Sequence, residues 1–225
     1  MSRRDGGVVL DRSASIPQSA ALTAPFTQGS LVIGITGGTG CGKTTLLKLI
    51  AEQGGLILDC DAIYHELLLS DTAMLSAIEA RFPGVVEEGV LNRKKLGATV
   101  FSDEAALLDL NRITHAAVKQ DVLRRLEAAP RLAAIDAIGL FEGGLAELCD
   151  VTVAVTAPEE LRIRRLMQRD QISEDYARAR IGAQHSEAWF RERCDYVLEN
   201  NGELDAFATN CLAFLRHLSI IKENS

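Results

Sequence analysis

A glycine-rich segment near residue 40 constrains the fold of this chain more than any other feature. Residues 37–44 read GGTGCGKT and match the pattern G-x-x-x-x-G-K-[ST]. Among chains of this length and composition, on the order of a few per thousand would match the pattern by chance. The apolar, β-branched run LVIGIT at residues 31–36 predicts a buried parallel strand before the segment, and residues 43–53 are predicted to form the helix after it. A strand, a glycine loop and a helix in this order predict a cradle for phosphate.

The residue types of this Walker A loop explain how it would hold a nucleoside triphosphate. Glycines let the backbone approach an anion closely, and consecutive N–H groups at a helix N-terminus supply positive potential. Lys43 places a cation at the β- and γ-phosphates, and the Thr44 hydroxyl is a ligand for Mg²⁺. Cys41 is interpreted as a tolerated small residue rather than as a redox switch. The predicted nucleotide-binding residues are Gly38, Thr39, Gly40, Cys41, Gly42, Lys43, Thr44 and Thr45.

Short apolar runs alternate with helical segments in the rest of the chain. Further strands are predicted at residues 56–58, 132–138, 151–156 and 196–198, and further helices at 62–69, 72–82, 92–101, 103–127, from 156, from 173 and at 203–218. This alternation predicts an α/β fold of the P-loop NTPase type, with a parallel five-stranded sheet flanked by helices. Ligands of such sheets bind at the carboxyl ends of the strands, where both the glycine loop and Asp61 fall.

Two aspartates close the second predicted strand. Asp59 and Asp61 follow the run LIL, and a turn then leads into the next helix. A carboxylate at this position can accept a proton from an acceptor hydroxyl, an effect worth roughly 10²–10⁴ in rate. It can equally well do no more than cap the following helix. The spacing alone leaves both interpretations open.

The composition limits the classes of binding partner and indicates the cellular compartment. The 225 residues carry 24 Lys and Arg against 31 Asp and Glu, and the net charge of −7 argues against a dedicated nucleic-acid or anionic-membrane binder. Five cysteines, an odd number without a CxxC spacing, favour reduced thiols in a cytoplasmic protein. No apolar run reaches the roughly 18 residues that are needed to span a bilayer. Residues 1–30 are interpreted as a flexible tail of no assigned role.

From residue 31 to about 218 the chain resembles the dephospho-coenzyme A kinase family. The shared elements occur in the order of that family: TGGTGCGKT at 36–44, DCD at 59–61, LNRITH at 110–115, Asp136 with LFE at 140–142, RLMQRD at 165–170, ARARIGAQ at 177–184 and NNG at 200–202. The chain departs from the family pattern at three positions, where His65, Ala116 and Gly139 replace a common Arg, Pro and Pro.

The resemblance implies phosphorylation of the ribose 3′-hydroxyl of dephospho-CoA by ATP, which gives CoA and ADP. Asp61 would be the base that orients and deprotonates this hydroxyl, and Lys43 with the loop amides would hold the transferring group. Thr44 would bind Mg²⁺ directly and Asp136 would bind it through water. His65 and His115 stand at positions that imply contact with the substrate, although His115 can equally be a buried structural histidine.

Three arginines near residue 165 share one predicted helix face. Arg162, Arg165 and Arg169 are spaced by three and four residues. Above a phosphate site, Arg165 and Arg169 would neutralise charge in the transition state, as lid arginines do in P-loop kinases. The alternative is a solvated basic face that is paired with acidic neighbours. We favour the lid role for Arg165 and Arg169 and assign none to Arg162.

These expectations divide the chain into a P-loop kinase domain at residues 31–218. Its core would comprise 31–61, 131–160 and 193–218, with a helical acceptor-binding insert at about 62–130 and a helical lid at about 161–192. The partner would be the small-molecule substrate, with no nucleic acid or membrane, and the protein would be a monomer or a weak homo-oligomer.

Two other functions compete with the one that the resemblance implies. The chain could be another P-loop kinase, for a nucleoside, a sugar or shikimate, or a non-catalytic ATP-binding regulatory paralogue. The common order of the DCD, LNRITH and LFE elements argues against the first alternative. The presence of Lys43, Thr44 and Asp61 argues against the second. The strings N-K-x-D and L-S-G-G-Q, typical of GTPases and ABC ATPases, are absent from the sequence.

Overall fold

The apolar run LVIGIT forms the middle strand of a parallel sheet. The structure is a computed structural model that describes residues 30–202 and 204–221, so the predicted tail lies outside the described residues except for Ser30. The strands of this sheet are β1 (Leu31–Thr36), β2 (Leu56–Asp59), β5 (Leu132–Asp136), β6 (Val151–Thr156) and β7 (Tyr196–Glu199). They lie in the order β2-β5-β1-β6-β7, and every neighbouring pair is parallel. The predicted α/β fold with five parallel strands is confirmed.

Helices cover both faces of the sheet. In the described residues they are α1 (Lys43–Glu52), α2 (Cys60–Ser70), α3 (Thr72–Arg81), α4 (Arg93–Val100), α5 (Glu104–Leu126), α6 (Glu159–Asp170), α7 (Glu174–Gly182), α8 (Glu187–Arg193) and α9 (Leu204–His217), with a short 3₁₀ turn at Ala146–Leu148. Side chains of Asn92, Asp103 and Ser173 accept hydrogen bonds from the first turns of α4, α5 and α7.

Alternate residues of β1 point into two different cores. Ile33 and Ile35, both fully buried, pack in the core that α1 and α9 complete. Val32 points to the opposite face, into the core that α2 and α5 complete. A strand that is buried on both faces must be apolar along its whole length, which is why LVIGIT shows no polar alternation.

The segments between the strands carry small apolar clusters of their own. One cluster joins α3, α4 and the start of α5, and includes Met74, Ile78 and Leu96. Another joins α6 and α7 and includes Leu166 and Ile181. The first cluster lies in the expected insert at about 62–130, and the second in the expected lid at about 161–192. The domain limits themselves stay predictions.

The prediction of a loop between α3 and α4 is wrong in part. This segment contains a short antiparallel hairpin. Its strands are β3 (Val86–Glu87) and β4 (Val90–Leu91). The two turn residues between them, Glu88 and Gly89, have φ angles of 52° and 80°. Positive φ at both central residues is the geometry that suits a two-residue hairpin turn.

Three predicted element boundaries also differ from the structure. Strand β2 ends at Asp59 and α2 begins at Cys60, so Asp61 lies in the first helical turn and not on an extended segment. Strand β5 stops at Asp136, two residues before its predicted end. Thr156 remains in β6 and does not cap α6, which begins after Pro158.

Candidate active site

The glycine loop connects the end of β1 to the start of α1. Gly42, with a φ of 96°, immediately precedes α1, so the helix N-terminus opens directly from the loop. The Nζ atom of Lys43 donates a hydrogen bond to the carbonyl oxygen of Gly37, 3.1 Å away, across the mouth of the loop. The loop amides, the helix N-terminus and this ammonium group therefore supply positive potential to one place.

A cavity of about 510 Å³ lies above the loop at the carboxyl ends of the strands. Its lining is strongly polar and combines the loop with aspartates on one side and arginines on the other. The lining residues are Gly38, Thr39, Gly40, Cys41, Gly42, Lys43, Thr44, Asp59, Asp61, Asp136, Ile138, Arg165, Leu166, Gln168, Arg169 and Arg180. The predicted triphosphate-binding residues thus face this cavity, with the exception of Thr45.

Sheet register brings two aspartates side by side at the floor of the cavity. Asp59 at the end of β2 is paired in register with Asp136 at the end of β5. Oδ1 of Asp136 is buried and lies 3.7 Å from Lys43 Nζ, without a hydrogen-bond partner. Burial raises the pKa of Asp136 to about 6; Lys43 counteracts this rise, while Asp59 and Asp61 add to it. A buried carboxylate oxygen that lies beside a phosphate loop and lacks a hydrogen-bond partner suits a cation.

The two aspartates of the DCD element have different environments. A side-chain oxygen of Asp59 accepts hydrogen bonds of 3.0 Å from the amides of Asp61 and Ala62, so Asp59 is the N-cap of α2. Asp61 is exposed in the first turn of that helix and lines the cavity. The structure therefore assigns the capping interpretation to Asp59 and leaves Asp61 available for chemistry.

A second cavity of about 270 Å³ adjoins the first on the side of α2 and α5. Asp61 and Ile138 line both cavities. The remaining lining is mostly apolar, with a few polar groups: Cys60, Tyr64, Leu110, Asn111, Thr114, His115, Val118, Ala137, Gly139, Gly143 and Leu145. His115 thus has access to a cavity. His65 lines neither cavity, and its exposed ring lies 5.7 Å from that of Tyr64.

The two arginines that we assigned to the lid both reach the larger cavity. Arg165 Nη1 donates to the carbonyl oxygen of Gly40 at 3.1 Å, and its Nη2 donates to Asn200 Oδ1 at 3.1 Å. Arg169 is held by Asp170, whose pKa falls to about 2, mainly because of the hydrogen bond from Arg169. Arg165 therefore lies against the loop, whereas Arg169 is more exposed and paired with a neighbouring carboxylate.

Several residues at the site were not singled out from the sequence. Asn200, after β7, is buried and donates from Nδ2 to the carbonyl oxygen of Cys41 at 2.9 Å. Arg180 and Gln168 line the larger cavity, and Arg180 donates to Asp170 at 2.7 Å. Asn200 and Arg180 belong to the NNG and ARARIGAQ elements, so the family pattern marked their positions without giving them roles.

The cysteine of the loop has the character of a small uncharged residue. Cys41 is buried, and burial raises the pKa of its thiol in spite of the nearby charges of Arg162 and Lys43. All five cysteines of the chain are free. In the described residues, no group of three or more His, Cys, Asp or Glu could hold a metal ion. No helix in the same part of the chain has the length and hydropathy to cross a membrane.

Comparison with known sequences identifies a family of similar proteins. The family model described as dephospho-CoA kinase matches residues 31–206. The dephospho-CoA kinase of Deinococcus radiodurans is 38% identical over 193 residues, which cover 84% of this chain and 92% of that protein. The dephospho-CoA kinase of Latilactobacillus sakei is 35% identical over 178 residues, which cover 77% and 88%.

Solved structures show the same architecture. TT1252 from Thermus thermophilus aligns with a TM-score of 0.72 and 33% identity, covering 85% of this chain and 99% of that one. Dephospho-CoA kinase from Campylobacter jejuni aligns with a TM-score of 0.59 and 24% identity, covering 84% and 96%. At that identity the second likeness shows a shared fold alone.

Proposed function

The chain belongs to the dephospho-CoA kinase family, and from this premise we propose how its residues transfer the γ-phosphoryl group of ATP to dephospho-CoA. The acceptor is the ribose 3′-hydroxyl and the products are CoA and ADP, so the reaction is the last step of CoA biosynthesis. The match over residues 31–206 favours this acceptor over the nucleosides, sugars or shikimate of other P-loop kinases.

One observation carries the proposal: Asp61 lies where the two cavities meet. The polar cavity contains the phosphate loop and takes ATP, and the more apolar cavity takes the acceptor. Its mixture of apolar side chains with His115 and Asn111 suits the ribose and base of dephospho-CoA. A carboxylate at the junction can hold the 3′-hydroxyl in line with the γ-phosphate and accept its proton.

Positive groups around the larger cavity stabilise the transferring phosphoryl group. Lys43 and the loop amides contact the β- and γ-phosphates. Arg165 and Arg169 reach the cavity from α6 and neutralise charge that spreads over the phosphoryl oxygens. His65 lines neither cavity, so its contact with the substrate stays a prediction.

The residues at the floor of the cavity fit Mg²⁺. Thr44 supplies a hydroxyl at the start of α1, and Oδ1 of Asp136, which lacks a hydrogen-bond partner, supplies a buried carboxylate oxygen that would bind the ion through water. Two protein groups of this kind are enough for an ion that keeps several waters and binds phosphate oxygens. Bound there, Mg²⁺ would neutralise charge on the triphosphate.

The larger organisation is proposed along the same lines. The helical insert at about 62–130 binds the acceptor, because α2 and α5 supply most of the smaller cavity. The segment at about 161–192 acts as the lid, because Arg165, Arg169 and Arg180 reach the larger cavity from it. The cytoplasmic location, the lack of a nucleic-acid partner and the monomeric or weakly oligomeric state stay predictions.

A coupled ADP-release assay tests the acceptor. Dephospho-CoA, adenosine, shikimate and gluconate are offered in turn with ATP and Mg²⁺. We expect turnover with dephospho-CoA and much slower ADP release with the other three. Faster release with one of these three would replace the proposed acceptor, and tight ATP binding without turnover on any of them would favour the non-catalytic paralogue.

The role of Asp61 is tested by Asp61→Asn. We expect kcat to fall by at least about 10² because the amide cannot accept the hydroxyl proton, while the affinity for ATP is retained. Asp205→Asn is the matched control, since Asp205 is also an exposed aspartate in a first helical turn but lines neither cavity. Turnover of Asp61→Asn at the level of that control would remove Asp61 from the mechanism.

A further inference from the structure

Two side chains that line neither cavity hold the peptide groups on both sides of Thr39 in the phosphate loop. The amide of Thr39 donates to Gln184 Oε1 at 2.9 Å. The Nε of Arg162 donates to the Thr39 carbonyl oxygen at 2.9 Å, and its Nη2 donates to Gln184 Oε1 at 3.0 Å. These three hydrogen bonds form a closed ring that joins the loop to α6 and to the residue two positions beyond α7.

Close packing against Arg162 explains a glycine that the Walker A pattern does not require. Gly38 occupies a variable position of G-x-x-x-x-G-K-[ST] and does not have a positive φ. A Cβ atom at residue 38 would lie 2.2 Å from Arg162 Nη2 and 3.0 Å from Gln184 Oε1. Any larger side chain would therefore displace the guanidinium from its place against the loop.

The ring lies behind the part of the loop that faces the larger cavity. Thr39 is 7% exposed, and neither Arg162 nor Gln184 lines the cavity. These two residues therefore contact the backbone of the loop and do not border the space that the triphosphate would occupy. Arg164 lies two positions further along the same helix and is exposed. Its Nε donates a hydrogen bond to the carbonyl oxygen of Glu160 within the helix.

We propose that Arg162 and Gln184 are positioning residues that fix the Thr39 peptide groups and so pre-form the loop for the triphosphate. Both belong to the proposed lid segment, so the shape of the cradle depends on contacts made by that segment. The inference rests on the proposed function in one respect, that a triphosphate binds at residues 37–44. A backbone cradle that is held in its bound shape binds more tightly, because less ordering remains for the ligand to impose.

The first test separates nucleotide affinity from acceptor affinity in Arg162→Ala. We expect the KM for ATP and the calorimetric Kd for ADP to rise about tenfold, the size expected for the loss of a hydrogen bond to a charged group. The KM for dephospho-CoA should stay within about twofold, since only the phosphate loop is affected. Arg164→Ala removes the same charge from the same helix and should leave all three constants unchanged. Equal ADP affinity in the two variants would overturn the proposal.

The second test uses Gly38→Ala and does not require Arg162→Ala to be stable. In the presence of Arg162, the new methyl group should displace the guanidinium and raise the Kd for ADP as Arg162→Ala does. In the double variant, the methyl group occupies the vacated space, so Gly38→Ala should add little to Arg162→Ala. If the two substitutions multiply each other's effects, they act independently and the proposal is wrong.

Gln184→Ala removes the second side chain of the hydrogen-bonded ring. It should raise the Kd for ADP and should show the same lack of additivity with Arg162→Ala, because both act on Thr39. The assays also separate this inference from the proposed function. A wild-type protein that does not phosphorylate dephospho-CoA would end the proposed function, while the ADP titrations would still decide the role of Arg162.

Discussion

At the scale of single residues, the buried carboxyl group of Asp136 lowers the stability of the fold when it is charged. Burial raises its pKa to about 6, well above the value of about 3.9 for an aspartate in water. Between about pH 4 and pH 6 the folded protein therefore holds a proton that the unfolded chain has released, so stability falls as the pH rises through this window. Above about pH 6 the buried carboxylate of Asp136 is charged, and it lowers the free energy of unfolding by its full amount.

Asp136→Asn removes this cost and leaves the size of the side chain nearly unchanged. In metal-free and nucleotide-free buffer, we expect the variant to exceed the wild type in free energy of unfolding by up to about 3 kcal/mol at about pH 8, and by little at about pH 4. Urea unfolding at the two pH values measures the difference. A variant that is less stable than the wild type at about pH 8 would show that the contact with Lys43, 3.7 Å away, outweighs the burial.

The residues of the site differ in how far the sequence could identify them. Lys43, Thr44 and the glycines lie within eight consecutive positions, where the local pattern carries the chemistry. Asp61 was left open between two roles until the structure showed that Asp59 provides the cap. Gln184 and Asn200 contact the loop across more than 140 residues of sequence. Contacts at that separation depend on how the elements pack, which spacing along the chain does not encode.

At the scale of elements, the start of α2 sets the direction of Asp61. The cap made by Asp59 fixes the first turn, in which Asp61 lies. Asp59→Ala removes the acceptor for two backbone amides, so we expect the free energy of unfolding to fall by about 1 kcal/mol and kcat to fall with it. Asp59→Asn keeps a capping oxygen and should lose much less stability. Equal unfolding free energies for the two variants would contradict the capping role.

Capping residues and apolar runs allowed most helices and strands to be predicted from the sequence. Asn92, Asp103 and Ser173 each carry a local signal, and each caps the helix that was predicted to follow it. The β3–β4 hairpin was missed because two-residue strands show no alternation and because Glu88 is an unusual residue at positive φ. The hairpin packs on α3 and α2, and such contacts between distant elements are not visible in a sequence of two-residue strands.

At the scale of the whole molecule, the order of the strands decides which residues meet. The sequence predicted five parallel strands but not the order β2-β5-β1-β6-β7, because each strand was recognised separately. This order places the ends of β2 and β5 beside the glycine loop that follows β1. Two cavities then open on either side of Asp61, one towards α6 and the other towards α5.

Two cavities on different elements should give two separate ligand footprints. In hydrogen exchange, we expect ADP with Mg²⁺ to slow the amides of residues 38–44 and of α6, since these border the polar cavity. Dephospho-CoA should instead slow the amides of residues 110–118 in α5 and of residues 137–145, which border the other cavity. His115→Ala should weaken the second footprint and leave the first intact, because His115 lines only the smaller cavity. Dephospho-CoA that protected the phosphate loop but left α5 unchanged would place the acceptor elsewhere, and Asp61 would then no longer stand between the two substrates.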